Sequence, residues 1–283
     1  MTLKSAIWEH ISEEPCDALK DWVCSYSGYA EQAERPVRRL EVVKDRVTVI
    51  IGFGDRLQIK AVGTQTTPTA YQMFAVGLGG SPLLAEHSGT QRCIEIELLP
   101  LAATKLFSGL VIKPHQSVVA LSDIWGESVL LLAEQLSEQL SWPSRFALID
   151  QFLIQRFAAS SYSARPEVRW AWQELERAGG CISIHQLAKT LGWSDRHFSQ
   201  SFREHVGVTP KLAARHIRFA HAHQLLMAVE HHELSTIALS SGYSDQSHFT
   251  REFYRFSGCT PSTYRQAHFP DLPGTPAEAA RSL

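Results

Sequence analysis

The sequence predicts an α+β protein: an N-terminal, mostly antiparallel β-sheet or barrel-like domain with helices, followed by an all-α C-terminal domain. Three observations predict it. Residues 37–62 are rich in Val and Ile and are interrupted by turn residues. From Leu121 onward, apolar residues recur at helical spacing. After Pro166 one helical unit is written twice. A chain of 283 residues is long enough for two cores, and 44% hydrophobic with 20% charged residues is ordinary for a folded domain. The spacing of the elements predicts a domain over 1–164, a second over 165–269 and a flexible tail over 270–283.

The first half reads as strands and then helices. Val37–Val62 carries turn signals at Lys44-Asp45 and at Gly52-Phe53-Gly54-Asp55. Tyr71–Gly77 and Arg92–Leu99 read as further strands, with Gly63, Pro68, Gly79-Gly80 and Pro82 between them. Ser122–Leu140 reads as one helix, Trp142-Pro143-Ser144 as its break, and Arg145–Ala158 as the next helix. Ser160–Pro166 is small and polar and ends in proline, so it reads as the linker. The helix after Pro166 stops at Gly179-Gly180.

The bulk properties exclude more than they assign. No apolar run approaches the roughly 18–20 residues that cross a bilayer. MTLKSAIWEHISEEP lacks the basic start and apolar block of a secretion signal, so the expected location is the cytoplasm. Five cysteines with no C-x-x-C pair argue against a disulfide framework. Net charge divides unevenly, −4 before Arg165 and +2 from it onward, which leaves nucleic-acid binding open.

The repeat carries the functional argument. Ile184–Lys211 lies over Leu234–Ser262. Ala188 meets Ala238, Gly192 meets Gly242, Trp193 meets Tyr243, and Ser194-Asp195 meets Ser244-Asp245. One residue is then inserted, after which Phe198 meets Phe249, Phe202 meets Phe253, Gly207 meets Gly258, and Thr209-Pro210 meets Thr260-Pro261. In each copy a small alanine admits a crossing helix, and glycine four residues on supplies a sharp turn. A Ser at 194 or 244 is expected to cap the next helix, with Asp195 or Asp245 in its first turn. That helix buries its two phenylalanines at i, i+4. Its free surface offers Arg196, Ser199, Gln200 and Arg203 in copy one, and Gln246, Ser247, Thr250, Arg251 and Arg255 in copy two. Such side chains suit base edges and phosphates, and the pattern is that of a helix-turn-helix. Pro210 to Val229 reads as a helix of about 20 residues, roughly 30 Å, against about 34 Å for one turn of DNA. Such a rod suits two recognition helices in two successive major grooves of one duplex.

Arg165 to about Phe269 resembles the DNA-binding domain of the AraC family of bacterial transcription regulators. The most specific part is Gly242 to Phe249, then Phe253, Gly258, Thr260, Pro261, Tyr264 and Arg265. The resemblance implies base-reading roles for Arg196, Ser199, Gln200, Arg203, Gln246, Ser247, Thr250 and Arg251, and backbone contacts from Lys211, Arg215 and Arg218. Tyr254 stands where a basic residue is common. For the N-terminal half the resemblance implies a domain that binds a small-molecule effector, forms a homodimer, or does both. It implies RNA polymerase as a further partner if the protein activates. No cofactor is expected.

Several other patterns have plainer readings. The eight histidines from His197 to His248 suggest zinc, but His221 and His223 at i, i+2 point to different helix faces, so surface or capping roles are expected and no metal site. Gly52-x-Gly54 has no following helix and reads as a hairpin turn. No Ser/His/Asp or Cys/His signature stands out, and an enzyme is not expected. The alternative is an N-terminal barrel with enzymatic activity, localised by a helical interaction module. Leu130-Leu131-Leu132 with Leu136 and Leu140 fits either a dimer seam or burial against the chain's own sheet.

Overall fold

The structure is a computed structural model that describes residues 7–228, 232–267 and 275–276. Two antiparallel sheets make the N-terminal half. Its strands are β1 (Ile7–Glu13), β2 (Val23–Gln32), β3 (Val37–Glu41), β4 (Val47–Gly52), β5 (Leu57–Ala61), β6 (Thr69–Tyr71), β7 (Met73–Val76), β8 (Leu83–His87), β9 (Thr90–Leu98) and β10 (Val118–Ala120). Strand β11 is Thr275–Pro276. One sheet runs β1-β2-β9-β4-β7-β10, the other β11-β3-β8-β5-β6. The expected sheet is therefore present, with β1, β2, β8, β10 and β11 added to the strands the sequence pattern picked out. Gln72 divides the expected Tyr71–Gly77 strand into the ends of two strands in different sheets.

Every residue of β4 is buried, because this central strand is covered on both faces. One face carries Val49 and Ile51 into a core shared with helices, and the other carries Ile50 into the space between the sheets. The helices are α1 (Pro100–Leu106), α2 (Leu121–Trp125), α3 (Glu127–Glu138) and α4 (Trp142–Ala159). Two expectations are corrected here. Ser122–Leu140 is two helices, separated at Gly126, whose φ is 60°. Trp142-Pro143-Ser144 starts α4 and is not a break: Ser141 caps the helix by accepting from the Ser144 amide at 3.3 Å, and proline lies in the first turn, where no amide donor is needed. Leu132 and Leu136 are buried in the large core, whereas Leu130 and Leu131 are exposed.

The C-terminal half is helical, with α5 (Pro166–Arg177), α6 (Ile184–Thr190), α7 (Asp195–Val206), α8 (Pro210–Met227), α9 (Leu234–Ser240), α10 (Gln246–Ser257) and α11 (Pro261–Ala267). Helix α8 ends at Met227; Val229 lies outside the described residues, as does His231. Within the stretch expected as a flexible tail, Thr275 and Pro276 pair with Leu40 and Arg39 of β3. The rest of that tail lies outside the described residues.

The halves are packed together. Glu176 of α5 pairs with Arg46 at 3.0 Å. Thr104 of α1 donates to the His205 carbonyl at 2.8 Å, and the Tyr162 hydroxyl meets the His205 ring. The Val43 amide donates to the Phe256 carbonyl at 2.9 Å. The C-terminal ends of both α7 and α10 thus rest on the N-terminal half.

Candidate nucleic-acid interface

Both copies of the repeat fold as the sequence pattern implies, from the same local causes. In the first, Ala188 is buried and α6 ends at a turn in which Gly192 takes φ 69°. The Trp193 amide donates back to the Ala188 carbonyl at 2.9 Å. Ser194 then caps α7, accepting from the His197 amide at 3.2 Å. Phe198 and Phe202 are fully buried and meet edge to face at 5.8 Å. Gly207 closes the helix in the left-handed conformation. In the second copy Ala238, Gly242 at φ 74°, and the Tyr243-to-Ala238 bond at 2.9 Å repeat the turn. Phe249 and Phe253 repeat the buried pair at 5.6 Å.

The inserted residue has a definite place. Helices α6 and α9 match at an offset of 50 and α7 and α10 at 51, so the extra residue lies in the second turn, before the cap. This corrects the expected cap at Ser244. Asp245 caps α10, accepting from the His248 amide at 2.7 Å, and Ser244 donates to the Asp245 carboxylate at 3.1 Å. That amide and the Ser244 hydroxyl hold the Asp245 carboxyl below its usual range. Asp245 therefore corresponds to Ser194, Gln246 to Asp195, and Arg251 to Gln200.

The polar faces of the two helices are open. Arg196, Gln200 and Arg203 are exposed on α7, with Ser199 half-buried. Gln246, Ser247, Arg251 and Arg255 are exposed on α10, with Thr250 half-buried. Gln200 donates to Glu204 at 3.1 Å, one helical turn on, so its amide is oriented but still at the surface. Lys211 is exposed in the first turn of α8, which Thr209 caps and Pro210 opens. Helix α8 has 18 residues, about 27 Å at 1.5 Å per residue.

Arg215 and Arg218, expected at the DNA backbone, are engaged inside the protein. Arg215 pairs with Glu252 of α10 at 2.9 Å and lies over the Phe256 ring. Arg218 donates to the Gly180 carbonyl at 2.8 Å and faces Glu252 at 4.0 Å. Glu252, buried, thereby ties α10 to α8. Sequence reasoning placed charges on α8 but had no signal for their partner, because Glu252 sits three residues after Phe249 on what reads as a mixed face.

Two residues escaped the sequence reading. His197 is exposed and His248 half-buried at matching positions in the first turns of α7 and α10. Each ring meets an aromatic of its turn edge-on, Trp193 at 4.6 Å and Tyr243 at 5.3 Å. Their recurrence at the offset of 51 was the available signal.

The N-terminal half holds a cavity of about 130 Å³ between its two sheets. Its walls are mostly apolar, from Ile50, Ile59, Phe74 and Leu83. Its rim includes Val43, Gly79 and Ser81, next to the ends of α7 and α10. Toward one end, Glu31 is buried with Arg39 at 2.8 Å, the Tyr29 hydroxyl at 2.5 Å and His87 at 3.1 Å. Burial alone would raise the Glu31 carboxyl, but those three partners together pull it down to about 2.

Residues 187–267 match a family model described as a helix-turn-helix domain. Among curated proteins, the chain is similar to the RCS-specific HTH-type transcriptional activator RclR of Escherichia coli K12, 35% identical over 94 residues, 33% of each chain. It is similar to the HTH-type transcriptional regulator ExsA of Pseudomonas aeruginosa, 34% identical over 83 residues, 29% of this chain and 30% of that one. An uncharacterised HTH-type transcriptional regulator of Staphylococcus aureus is 33% identical over 84 residues, 30% of this chain. The chain spans 11% of the length of that Staphylococcus protein and about a third of the other two. Among solved structures, ToxT from Vibrio cholerae superposes with a TM-score of 0.50 at 11% identity, over 85% of this chain and 97% of that one. An unsaturated fatty acid-bound ToxT gives 0.50 at 12% identity, over 89% and 96%. At such identity the likeness is one of fold.

Proposed function

From the helix-turn-helix domain of AraC type that residues 187–267 form, we propose that the chain is a sequence-specific transcription regulator that binds double-stranded DNA. Helices α7 and α10 enter successive major grooves, held apart by α8. The observation that carries this is the pair of matched helices, each with two phenylalanines buried beneath an open polar face. Arg196, Ser199, Gln200 and Arg203, with Gln246, Ser247, Thr250, Arg251 and Arg255, make the DNA contacts, and Lys211 adds a phosphate contact.

The correspondence of Gln200 with Arg251 sharpens the reading. A glutamine pairs bidentately with adenine and an arginine with guanine. Each alanine substitution should then cost about 1–3 kcal/mol on the preferred site and relax preference at one base step. Selection of bound sequences from a random duplex pool, for the wild type, Gln200→Ala and Arg251→Ala, tests it. Unchanged affinity and unchanged base preference in both variants would sink the assignment.

The N-terminal half acts as the sensing domain, with its cavity as the effector site. Support comes from the apolar walls and from the rim, which touches the segments on which α7 and α10 rest. The outward leucines Leu130 and Leu131 offer a homodimer face. RNA polymerase is the further partner if the protein activates. The site of action is the cytoplasm; among the described residues no helix is long and apolar enough to cross a membrane. The matching relatives are transcriptional regulators, and we propose no catalysis.

A further inference from the structure

The charged groups around the cavity are not matched evenly. Three cations line it, and each already has a partner. Arg39 is paired with Glu31 at 2.8 Å. Lys44 is bonded to Glu95 and, at 2.8 Å, to Glu97. Arg46 is paired with Asp45 at 3.1 Å and Glu176 at 3.0 Å. The lining carboxylate Glu41 has no hydrogen bond or ion pair among the described residues, and Glu95 lies near it. Loss of water around Glu41 raises its carboxyl and the Glu95 charge raises it further, against a smaller pull from the Lys44 and Arg39 charges, neither of which bonds it. A half-buried carboxylate with no ion pair of its own is a ready seat for a cation.

A second observation lies at the other end. Residues two apart on a strand share a face, so Gln91, Cys93 and Glu95 of β9 line the cavity in a row of roughly 13 Å. Gln91 is 3% exposed and its Oε1 acceptor has no partner. Arg39 Nε, also buried, likewise has none. The cavity therefore presents a free carboxylate at one end and free hydrogen-bonding atoms at the other, with apolar walls between. Its volume of about 130 Å³ is near the ~150 Å³ that accepts a single benzene ring.

We propose that this cavity takes a small organic cation with a single-ring-sized apolar body, its ammonium group seated on Glu41 beside Glu95. The ring lies against Ile50, Phe74 and Leu83. A hydroxyl at the far end of such a ligand donates to Gln91 and accepts from Arg39. A carboxylate in place of the ammonium is disfavoured, because it would face Glu41 and have to take Lys44 from two carboxylates. The inference rests on the reading of the cavity as the effector site.

The test is calorimetric titration of the full chain with three probes of one shape: cyclohexylmethylamine, cyclohexylmethanol and cyclohexanecarboxylate. The amine should bind at least about tenfold more tightly than the other two. Glu41→Gln should weaken the amine by about tenfold and leave the alcohol within about twofold. Tightest binding by the carboxylate, or an amine indifferent to Glu41→Gln, overturns the cation and leaves the effector cavity standing. If no probe binds, the cation falls as well. If in addition a cavity-filling Ala85→Trp chain keeps its stability and its DNA binding, the effector reading falls with it.

Discussion

The two helix-turn-helix units have the same local design and different surroundings. Phe198 and Phe202 of the first belong to the large core that runs through α5 into the N-terminal sheet, with Trp172 stacked on Phe202 at 6.3 Å. Phe249 and Phe253 of the second belong to a separate core built from α8, α9, α10 and α11, which reaches the N-terminal half at Leu40 of β3. At matching positions the first unit has Ser201 and the second Glu252. Among the described residues, the second is held to α8 by the ion pair of Arg215 with buried Glu252 and has a histidine, His216, against Phe256 near its helix end, and the first has neither. The difference teaches that a repeat fixes the turn and the buried pair, while each copy's stability is set by what it leans on.

Truncating the buried phenylalanines should break each unit, by the largest margin. Phe198→Ala and Phe249→Ala should each cost about 3–5 kcal/mol, because both rings are fully buried. Loss of the first should lower the melting transition of the whole chain, since its core is continuous with the sheet. Loss of the second should release α9 to α11 locally, which amide exchange by mass spectrometry separates from global unfolding.

Acid should act more strongly on the second unit than on the first, where burial lowers only the half-buried His205. His216 is 1% exposed, has no partner for either ring nitrogen among the described residues, and meets Phe256 edge-on at 5.0 Å. Burial, with Arg215 beside it, lowers its pKa to about 3. An unfolded histidine takes its proton near 6.5. Between those values the unfolded chain binds more protons, so stability falls as pH falls, by up to about 1.4 kcal/mol per pH unit. Amide exchange in α10 should accelerate more than that in α7 from about pH 6 downward. His216→Phe should remove the difference.

The turn glycines should separate the units by less. Both need φ near +70°, so alanine costs about 1–2 kcal/mol at either. A methyl group at Gly192 meets nothing within 4 Å. At Gly242 it would stand 2.2 Å from the Cys181 sulfur. Gly242→Ala should therefore lower Tm more than Gly192→Ala, and Cys181→Ala should restore part of the loss.

These contrasts also mark what the sequence could show. Gly192, Gly242 and the four phenylalanines were legible because a left-handed turn and an i, i+4 buried pair each admit few residue types. The strands of 37–62 were legible for the same reason, a run of β-branched residues between turns. Strand β2, VCSYSGYAEQ, was not, because its serines, glycine and polar residues dilute the alternation although Tyr26 and Tyr29 are buried. The open face of each recognition helix followed from the buried one. The roles of Arg215 and Arg218 did not, since a partner 37 residues away leaves no local pattern. Nor did the cavity, whose walls come from seven strands.

The caps should separate the units least, and by pH more than by substitution alone. Ser194→Ala should cost about 1 kcal/mol, at any pH. Asp245 does the same task with a charge, and its carboxyl is held below the usual range by the His248 amide and Ser244. A folded-state value below the unfolded one, near 3.9, gives stability that is complete above that point and is lost as pH falls through it. The window opens near pH 4, where that of His216 is still running down to about 3, so the two acid effects are separated by removing the histidine. In a His216→Phe background, protection of the His248 amide should hold down to about pH 4 and then drop, while that of the His197 amide, bonded to a serine, should not. Asp245→Asn should keep the amide bond and lose the pH dependence. If the His197 and His248 amides deprotect together on acidification, the charged cap makes no difference between the copies and the comparison loses its finest distinction.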